Sequence, residues 1–374
     1  MPDRTIEIAI VGAGAAGLMA AIEASHAGAQ VTVVDENQKP GGQLFKQLHK
    51  FFGSASHRAG TRGFDIGEQL LEESRDIGVG VLLDAICWGL FEGNQLALQL
   101  GDRSELLRYQ KLILATGASE KPLAFPGWTL PGVMGAGAAQ TMVNVHRVLP
   151  GHRVLMVGSG NVGLIVSYQL MQAGADVVAV IEGLPQIGGY GVHASKIRRA
   201  AVPILTSHTI LRADGTDSVS SATIARVDEN WQPVDGTERT LEVDTVCLAV
   251  GLSPMSELAW MAGCQFTYIP SLGGHIPIHN EDMKTTVPDV YVAGDIAGVE
   301  EASTAMEEGR LAGLAAAEAL GYESEELRQR KVEARLALQQ LRDGPFGEER
   351  RRAKLNIEEA YKEQARQHAN KSKP

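Results

Sequence analysis

Cysteine is scarce. Cys87, Cys247 and Cys264 are the only three in 374 residues, and they are widely spaced. A disulfide framework or a metal cluster needs cysteines in close sets, so neither is expected and no metal ligands are assigned. Thiols scattered this way read as small buried hydrophobes, and their scarcity fits a reducing cytoplasm. Positive charge is also short: 34 Lys and Arg against 45 Asp and Glu give a net charge of −11, which argues against general nucleic-acid binding. No apolar run approaches the roughly 20 residues that span a bilayer. Ile6–Val11 lacks the cationic start and long core of a signal peptide. What remains is a chain with 44% hydrophobic residues, long enough for two or three domains.

Glycine, by contrast, is plentiful at 42 residues, and it is concentrated in meaningful places. Ile6–Val11 reads as a strand, Gly12-Ala13-Gly14-Ala15-Ala16-Gly17 as a turn, Leu18–Ala27 as a helix and Gln30–Val34 as a second strand ending on Asp35. Gly12 turns the chain, Gly14 admits a pyrophosphate to the backbone, and Gly17 lets helix and sheet approach. The helix start offers N–H donors to phosphate, and Asp35, or its neighbour Glu36, would accept hydrogen bonds from a ribose. Strand, turn, helix and acid together indicate an ADP-containing dinucleotide.

The pattern repeats. Arg153–Val157, Gly158-Ser159-Gly160-Asn161-Val162-Gly163, Leu164–Ala173 and Asp176–Ile181 reproduce strand, turn, helix and strand, ending on Glu182. Duplication is a stronger signal than either motif alone. Glu182 would bond a ribose 2′-hydroxyl and repel a 2′-phosphate, favouring NAD over NADP, although Arg198 and Arg199 lie close in sequence. A folded but empty second unit is the competing reading. Two buried strands, Lys111–Ala115 and Thr245–Val250, end in the small residues Ala115-Thr116-Gly117 and in Gly251, extending the duplication.

Between these units, Phe45–Gly63 carries Lys46, His49, Lys50, His57, Arg58 and Arg62 and no acid. It is either a solvated loop or a cationic wall receiving a substrate carboxylate or a partner's acidic face. Asp65–Gly78 has helical spacing, and short strands at Val79–Ala85, Trp88–Glu92 and Gln95–Leu100 suggest a meander. Val192–Ala200 reads as a helix, with strands at Pro203–Thr206, Ser221–Asp228 and Thr240–Val243. Val290–Ala293 delivers Gly294-Asp295, and Glu301–Leu320 is helical, with Gly309 and Gly313 for close packing. The expected divisions are 1–121 and 253–322 for the first domain, 122–252 for the second and 323–374 for a charged helical tail. The tail breaks at Asp343–Gly347 and is too polar for its own core; it lies on the body, lies on another subunit, or frays, with Asn370–Pro374 expected to be disordered.

Gly12–Gly17, Pro40–Leu44, Ala115–Gly117, Gly158–Gly163 and Gly294-Asp295 together resemble the signature set of the flavoproteins with two dinucleotide-binding domains, the thioredoxin-reductase and glutathione-reductase superfamily. The resemblance covers Ile6 to Leu320. It implies an α/β fold of two Rossmann-like domains, the second inserted in the first. FAD would lie in the first domain and NAD(H), less readily NADP(H), in the second. By position, Gly12, Gly14, Ala16 and Gly17 would hold the FAD pyrophosphate and Asp35 or Glu36 the adenosine ribose. Gly42 and Gln43 would approach the flavin, Thr116 and Gly117 close over it, and Asp295 bind the ribityl chain. Gly158, Gly160, Gly163 and Glu182 would serve the second nucleotide. The start of the Glu301–Leu320 helix could face the flavin pyrimidine, but Glu300 and Glu301 read as ordinary acids that satisfy its dipole.

Disulfide-reducing members carry a nearby cysteine pair, which this chain lacks, so thiol–disulfide exchange is rejected. Phe125–Val133, Gly41-Gly42-Gln43 and Glu308–Gly313 are similar to a narrower group: the flavoprotein subunits of sarcosine oxidase, opine oxidase, hydroxyproline or proline dehydrogenase and hydrogen cyanide synthase. That group implies an FAD-dependent oxidoreductase subunit that works on an amino acid or amine beside a second flavoprotein or electron-transfer subunit. Gln43, Lys46 and His49 are the candidates beside the flavin, and Arg58 and Arg62 for carboxylate capture. Two other functions stay open: a free-standing NADH-dependent flavin reductase serving a small acceptor protein, and a non-redox assembly subunit holding an adenine nucleotide.

Overall fold

The computed structural model describes residues 5–51, 54–344 and 347–371. The chain divides into two compact units, Met1–Ser119 with Ser253–Pro374, and Glu120–Leu252. Both are α/β.

In the first unit, β1 (Thr5–Val11), α1 (Ala15–His26), β2 (Val31–Val34), α2 (Gly63–Asp76), β3 (Gly80–Leu82), β4 (Ala85–Phe91), β5 (Gln95–Leu100) and β6 (Arg103–Leu114) follow in order. The sheet runs β3-β2-β1-β6-β5-β4, with a seventh strand, Val290–Val292, added to β6. β3, β2, β1, β6 and Val290–Val292 are parallel, while β4-β5-β6 form an antiparallel meander. Ile6, Ile8, Ala9, Ile10 and Val11 are all buried, the near-continuous apolar run of a parallel strand covered on both faces. The expected Lys111–Ala115 strand is the end of the much longer β6. Its first half carries Arg103, Glu105 and Arg108 on a half-solvated meander, and these charges concealed it.

Register fixes where the functional segments emerge. Val11 pairs with Val34 and Leu114, Val34 with Leu82, and Leu114 with Val292. The strand ends are therefore level, and the residues after them leave along one edge of the sheet: Gly12, Asp35, Ala115-Thr116-Gly117 and Gly294-Asp295. The carboxyl edge of a parallel sheet is where such folds take ligands.

The second unit has β7 (Arg153–Val157), α3 (Asn161–Gln172), β8 (Asp176–Glu182) and β9 (Thr245–Leu248) at its centre. With Ile204–Thr206 and Val133–Gly135 they make a parallel sheet ordered Ile204–Thr206, β8, β7, β9, Val133–Gly135. A three-stranded antiparallel sheet, His208–Asp214, Ser221–Arg226 and Arg239–Glu242, accompanies it. His208–Asp214 was not expected, because its alternation is broken by a bulge between Ile210 and Arg212.

Back in the first unit come α4 (Ala302–Glu318), α5 (Glu325–Arg342) and α6 (Glu348–Lys371). α4 lies against α1 at backbone distance: a Cβ on Gly309 would sit 2.1 Å from the Ala16 carbonyl oxygen, and one on Gly313 2.2 Å from that of Ala20. Of the fates open to the tail, the structure shows the first. Leu327, Ala334 and Leu338 join the main core of the unit, and Ala353 and Ile357 cover Leu272 and Ile276. Ser324 caps α5, its Oγ accepting from the Leu327 N–H (3.0 Å). Residues 345–346 of the expected break and 372–374 of the expected disordered end lie outside the described residues.

Candidate dinucleotide sites

Both glycine turns are built to one plan. Gly12 (φ +109°) and Gly158 (φ +108°) occupy the left-handed region, and a Cβ on either would lie 2.2 Å from a carbonyl oxygen, that of Ala115 and of Ala249 respectively. Only glycine fits there. Gly17 and Gly163 are needed for space: a Cβ would meet the Gly12 oxygen at 1.8 Å and the Gly158 oxygen at 2.1 Å. The Gly12 N–H donates to Val34 O and the Gly158 N–H to Ile181 O, each at 2.8 Å.

The acids also correspond. Asp35 Oδ2 accepts from the Ala13 N–H (2.5 Å) and Oδ1 from the Asn37 N–H (2.8 Å). Glu182 Oε2 accepts from the Ser159 N–H (2.9 Å) and Oε1 from the Leu184 N–H (3.0 Å). Asp35 is buried and Glu36 exposed, so Asp35 is the acid turned to the first turn. Neither α1 nor α3 has a side-chain cap or an acid in its first turn. Their leading N–H groups and positive dipole ends are thus left for an anion.

A second glycine segment lies on each turn. The Gly41 N–H donates to Ala13 O (2.7 Å), and a Cβ on Gly42 would be 3.0 Å from Gly14 Cα. In the second unit the Gly189 N–H donates to Ser159 O (2.8 Å) and the Tyr190 N–H to Asn161 Oδ1 (2.9 Å). Gly188-Gly189 was missed in the sequence, although it follows Glu182 at the same interval that separates Gly41-Gly42 from Asp35. Also missed was Trp231, held at φ +62° with its N–H donating to Asp228 O (3.1 Å). The ring covers Gly183, where a Cβ would be 2.2 Å from it, and is still 58% exposed.

Asp295 comes to the first turn through its neighbour: a Cβ on Gly294 would be 2.9 Å from that of Ala16. Burial pushes the Asp295 carboxyl up to about 6, against the pull of the Glu300 N–H it accepts from. Thr116 Oγ1 donates to Met255 O (2.6 Å), fixing the Thr116-Gly117 bend. Gln43 is exposed beside Gly42, Lys46 ends the same short turn, and His49 stacks on Phe51 with centroids 5.6 Å apart.

Two basic residues of the cationic segment are answered by side chains elsewhere in the same unit. Arg58 donates to Gln69 Oε1 (2.8 Å) and Glu73 Oε2 (2.7 Å), and buried His57 meets Glu307 Oε1 at 2.9 Å. Arg62 is exposed immediately before α2. Of the two carboxylate-capture candidates, Arg58 is therefore already engaged. The cysteines are unpaired thiols; burial pushes Cys87 up to about 11 and Cys247 up to about 12, and raises Cys264.

Comparison with known proteins agrees with this geometry. The family described as pyridine nucleotide-disulphide oxidoreductase matches residues 6–309. An opine oxidase subunit of Agrobacterium tumefaciens (strain Ach5) is 31% identical, over 83% of this chain and 65% of its own length. The chain thus spans just under two thirds of that relative. Hydrogen cyanide synthase subunit HcnB of Pseudomonas aeruginosa is 28% identical, over 82% of this chain and 69% of its own. Among solved structures, T. acidophilum thioredoxin reductase superposes with a TM-score of 0.68 at 19% identity, covering 85% of this chain and 99% of that one, a likeness of fold. No helix among the described residues is long and apolar enough to cross a membrane.

Proposed function

Because the chain belongs to the pyridine nucleotide-disulphide oxidoreductase family, whose members are oxidoreductases using FAD and a pyridine nucleotide, we propose that it holds FAD in its first unit and NAD(H) in its second. In this reading it is the nucleotide-binding flavoprotein subunit of a multi-subunit enzyme that oxidises an amino acid or amine. The carrying observation is the level sheet edge that brings Gly12–Gly17, Asp35, Gly41-Gly42, Thr116-Gly117 and Gly294-Asp295 together. The fit is that of a long dinucleotide: a bare-backbone cradle, an uncapped helix start, and an acid on either side of it, Asp35 buried and Asp295 half-buried.

When bound, FAD supplies the two-electron chemistry. The protein's part is positioning. The α1 N-terminus with Gly14 and Ala16 takes the pyrophosphate, Asp35 the adenosine ribose, and Asp295 the ribityl hydroxyls. Gly42 and Gln43 border the flavin, with Lys46 and His49 beyond them. In the second unit the α3 N-terminus with Gly160 takes the pyrophosphate, Glu182 the ribose 2′-hydroxyl, and Trp231 offers an aromatic face for adenine. A 2′-phosphate would meet the Glu182 carboxylate, which favours NAD. The three separate thiols, Cys247 and Cys264 buried and Cys87 half-buried, give no dithiol for disulfide exchange. Partnership with a second flavoprotein or electron-transfer subunit is supported by relatives that are themselves named as subunits, and the three scattered cysteines fit a cytoplasmic setting.

Anaerobic titration of the purified protein with NADH and NADPH tests the reading. NADH should bleach the flavin band at lower concentration than NADPH. A flavin that neither nucleotide bleaches would overturn the second-site assignment, and a colourless protein retaining only an adenine nucleotide would overturn the redox role.

A further inference from the structure

The family match ends at residue 309, yet a buried charge cluster joins α4 to the two helices beyond it. Glu308 is buried in α4. Its Oε2 accepts from the Gly294 N–H (3.0 Å), while its Oε1 accepts from Arg342 Nη2 and Lys354 Nζ, each at 2.6 Å. Lys354, buried in α6, also donates to Ala297 O (2.8 Å). One lysine therefore grips the Gly294–Ala297 turn at both ends, at Gly294 through Glu308 and at Ala297 directly. Asp295 lies between.

The same cations settle the acids before α4. Glu300, expected to answer the helix dipole, is bonded through both oxygens by Arg342 (2.5 to 3.2 Å) and lies 3.6 Å from Lys354. Glu301 makes no side-chain cap, and the first turn of α4 contains no acid. Burial alone would raise Glu308, but Lys354 and Arg342 outweigh it and hold the carboxylate ionised. A buried pair of this kind is costly to break, since one partner is left charged and unpaired.

We propose that the C-terminal helical pair is part of the flavin-binding machinery, with Lys354 and Arg342 as positioning residues that clamp Glu308 and Glu300 and so hold the Gly294–Ala297 turn and the α4 start in their FAD-receiving form. The tail is thereby a component of the cofactor site rather than a surface reserved for a partner. This rests on the FAD reading above, and the test separates the two.

The test uses the whole 374-residue chain with Lys354→Met, which keeps length and removes charge, and Lys354→Arg, which keeps charge. FAD is stripped, and its affinity is measured by fluorescence titration, with far-UV circular dichroism and urea unfolding of each apo protein alongside. Lys354→Met should bind FAD at least tenfold more weakly while still folded, and Lys354→Arg should recover most of the loss. A Lys354→Met affinity within twofold of the parent overturns the inference. A parent that binds no FAD overturns the reading beneath it instead. Should Lys354→Met not fold, Arg342→Lys, which loses the forked grip on Glu300 and Glu308, is judged by the same thresholds.

Discussion

Asp295→Asn separates what this carboxylate does for the ligand from what it costs the fold. Burial raises Asp295 from 3.8 to about 6. In the FAD-free protein the folded state therefore binds this proton more tightly than the unfolded state. The resulting stabilisation is complete below pH 3.8 and is lost as pH rises through about 6. The gap of about 2 in pKa corresponds to up to about 3 kcal/mol at neutral pH. Asparagine keeps an oxygen for the Glu300 N–H and has no charge to bury. Stripped Asp295→Asn should accordingly gain up to about 3 kcal/mol over the parent near pH 7.5 and almost nothing near pH 4. Glu308, held below the usual range by Lys354 and Arg342 against burial, titrates in both proteins and largely cancels. Urea unfolding of the two stripped proteins across this range is the assay. FAD retention should fall at the same time, because one carboxylate acceptor becomes an amide donor. Equal stability at every pH, or an Asp295→Asn protein that is the weaker at neutral pH, would refute the reasoning.

Other outcomes follow from the same geometry. Gly17→Ala places a methyl 1.8 Å from the Gly12 oxygen and should abolish soluble, flavin-loaded protein; normal flavin content on purification would contradict this. Gly313→Ala, forced against the Ala20 carbonyl at 2.2 Å, should lower stability by about 1–3 kcal/mol, the usual cost of overpacking, measurable by urea unfolding. Glu182→Ala and Trp231→Ala should each raise the NADH concentration needed to bleach the flavin by roughly tenfold, about 1.4 kcal/mol, with FAD content unchanged; unaltered titrations would mean the second site is empty. Cys247, raised to about 12, and the less buried Cys87, raised to about 11, should resist alkylation near pH 8 in the folded protein and react on unfolding.

The parts legible in the sequence are those where backbone geometry leaves no choice of residue. Gly12 and Gly158 must be glycine because of their φ and a carbonyl 2.2 Å from any Cβ. Asp35 and Glu182 close strands whose apolar runs are unmistakable. The two-unit α/β class followed from those signals, and the helical tail from its charged composition and the stripe of Leu327, Ala334, Leu338 and Leu341. Less legible was whatever depends on distant partners. The first half of β6 is charged because it borders solvent in a meander. Gly183 is glycine because of Trp231, 48 positions away. Lys354 and Arg342 did not stand out among the charges of the tail, since nothing local announces that Glu308 and Glu300 await them. Glu300 was misread for the same reason, and Arg58 looked available until Glu73 was seen to hold it.

The most direct test counts flavin. The 374-residue protein, desalted and then denatured, should release one FAD per chain, the first cradle filled by FAD and the second reserved for a nicotinamide nucleotide. Two FAD per chain would show that the cradles are not divided in this way. None at all, in folded protein supplied with FAD, would contradict the account at its root.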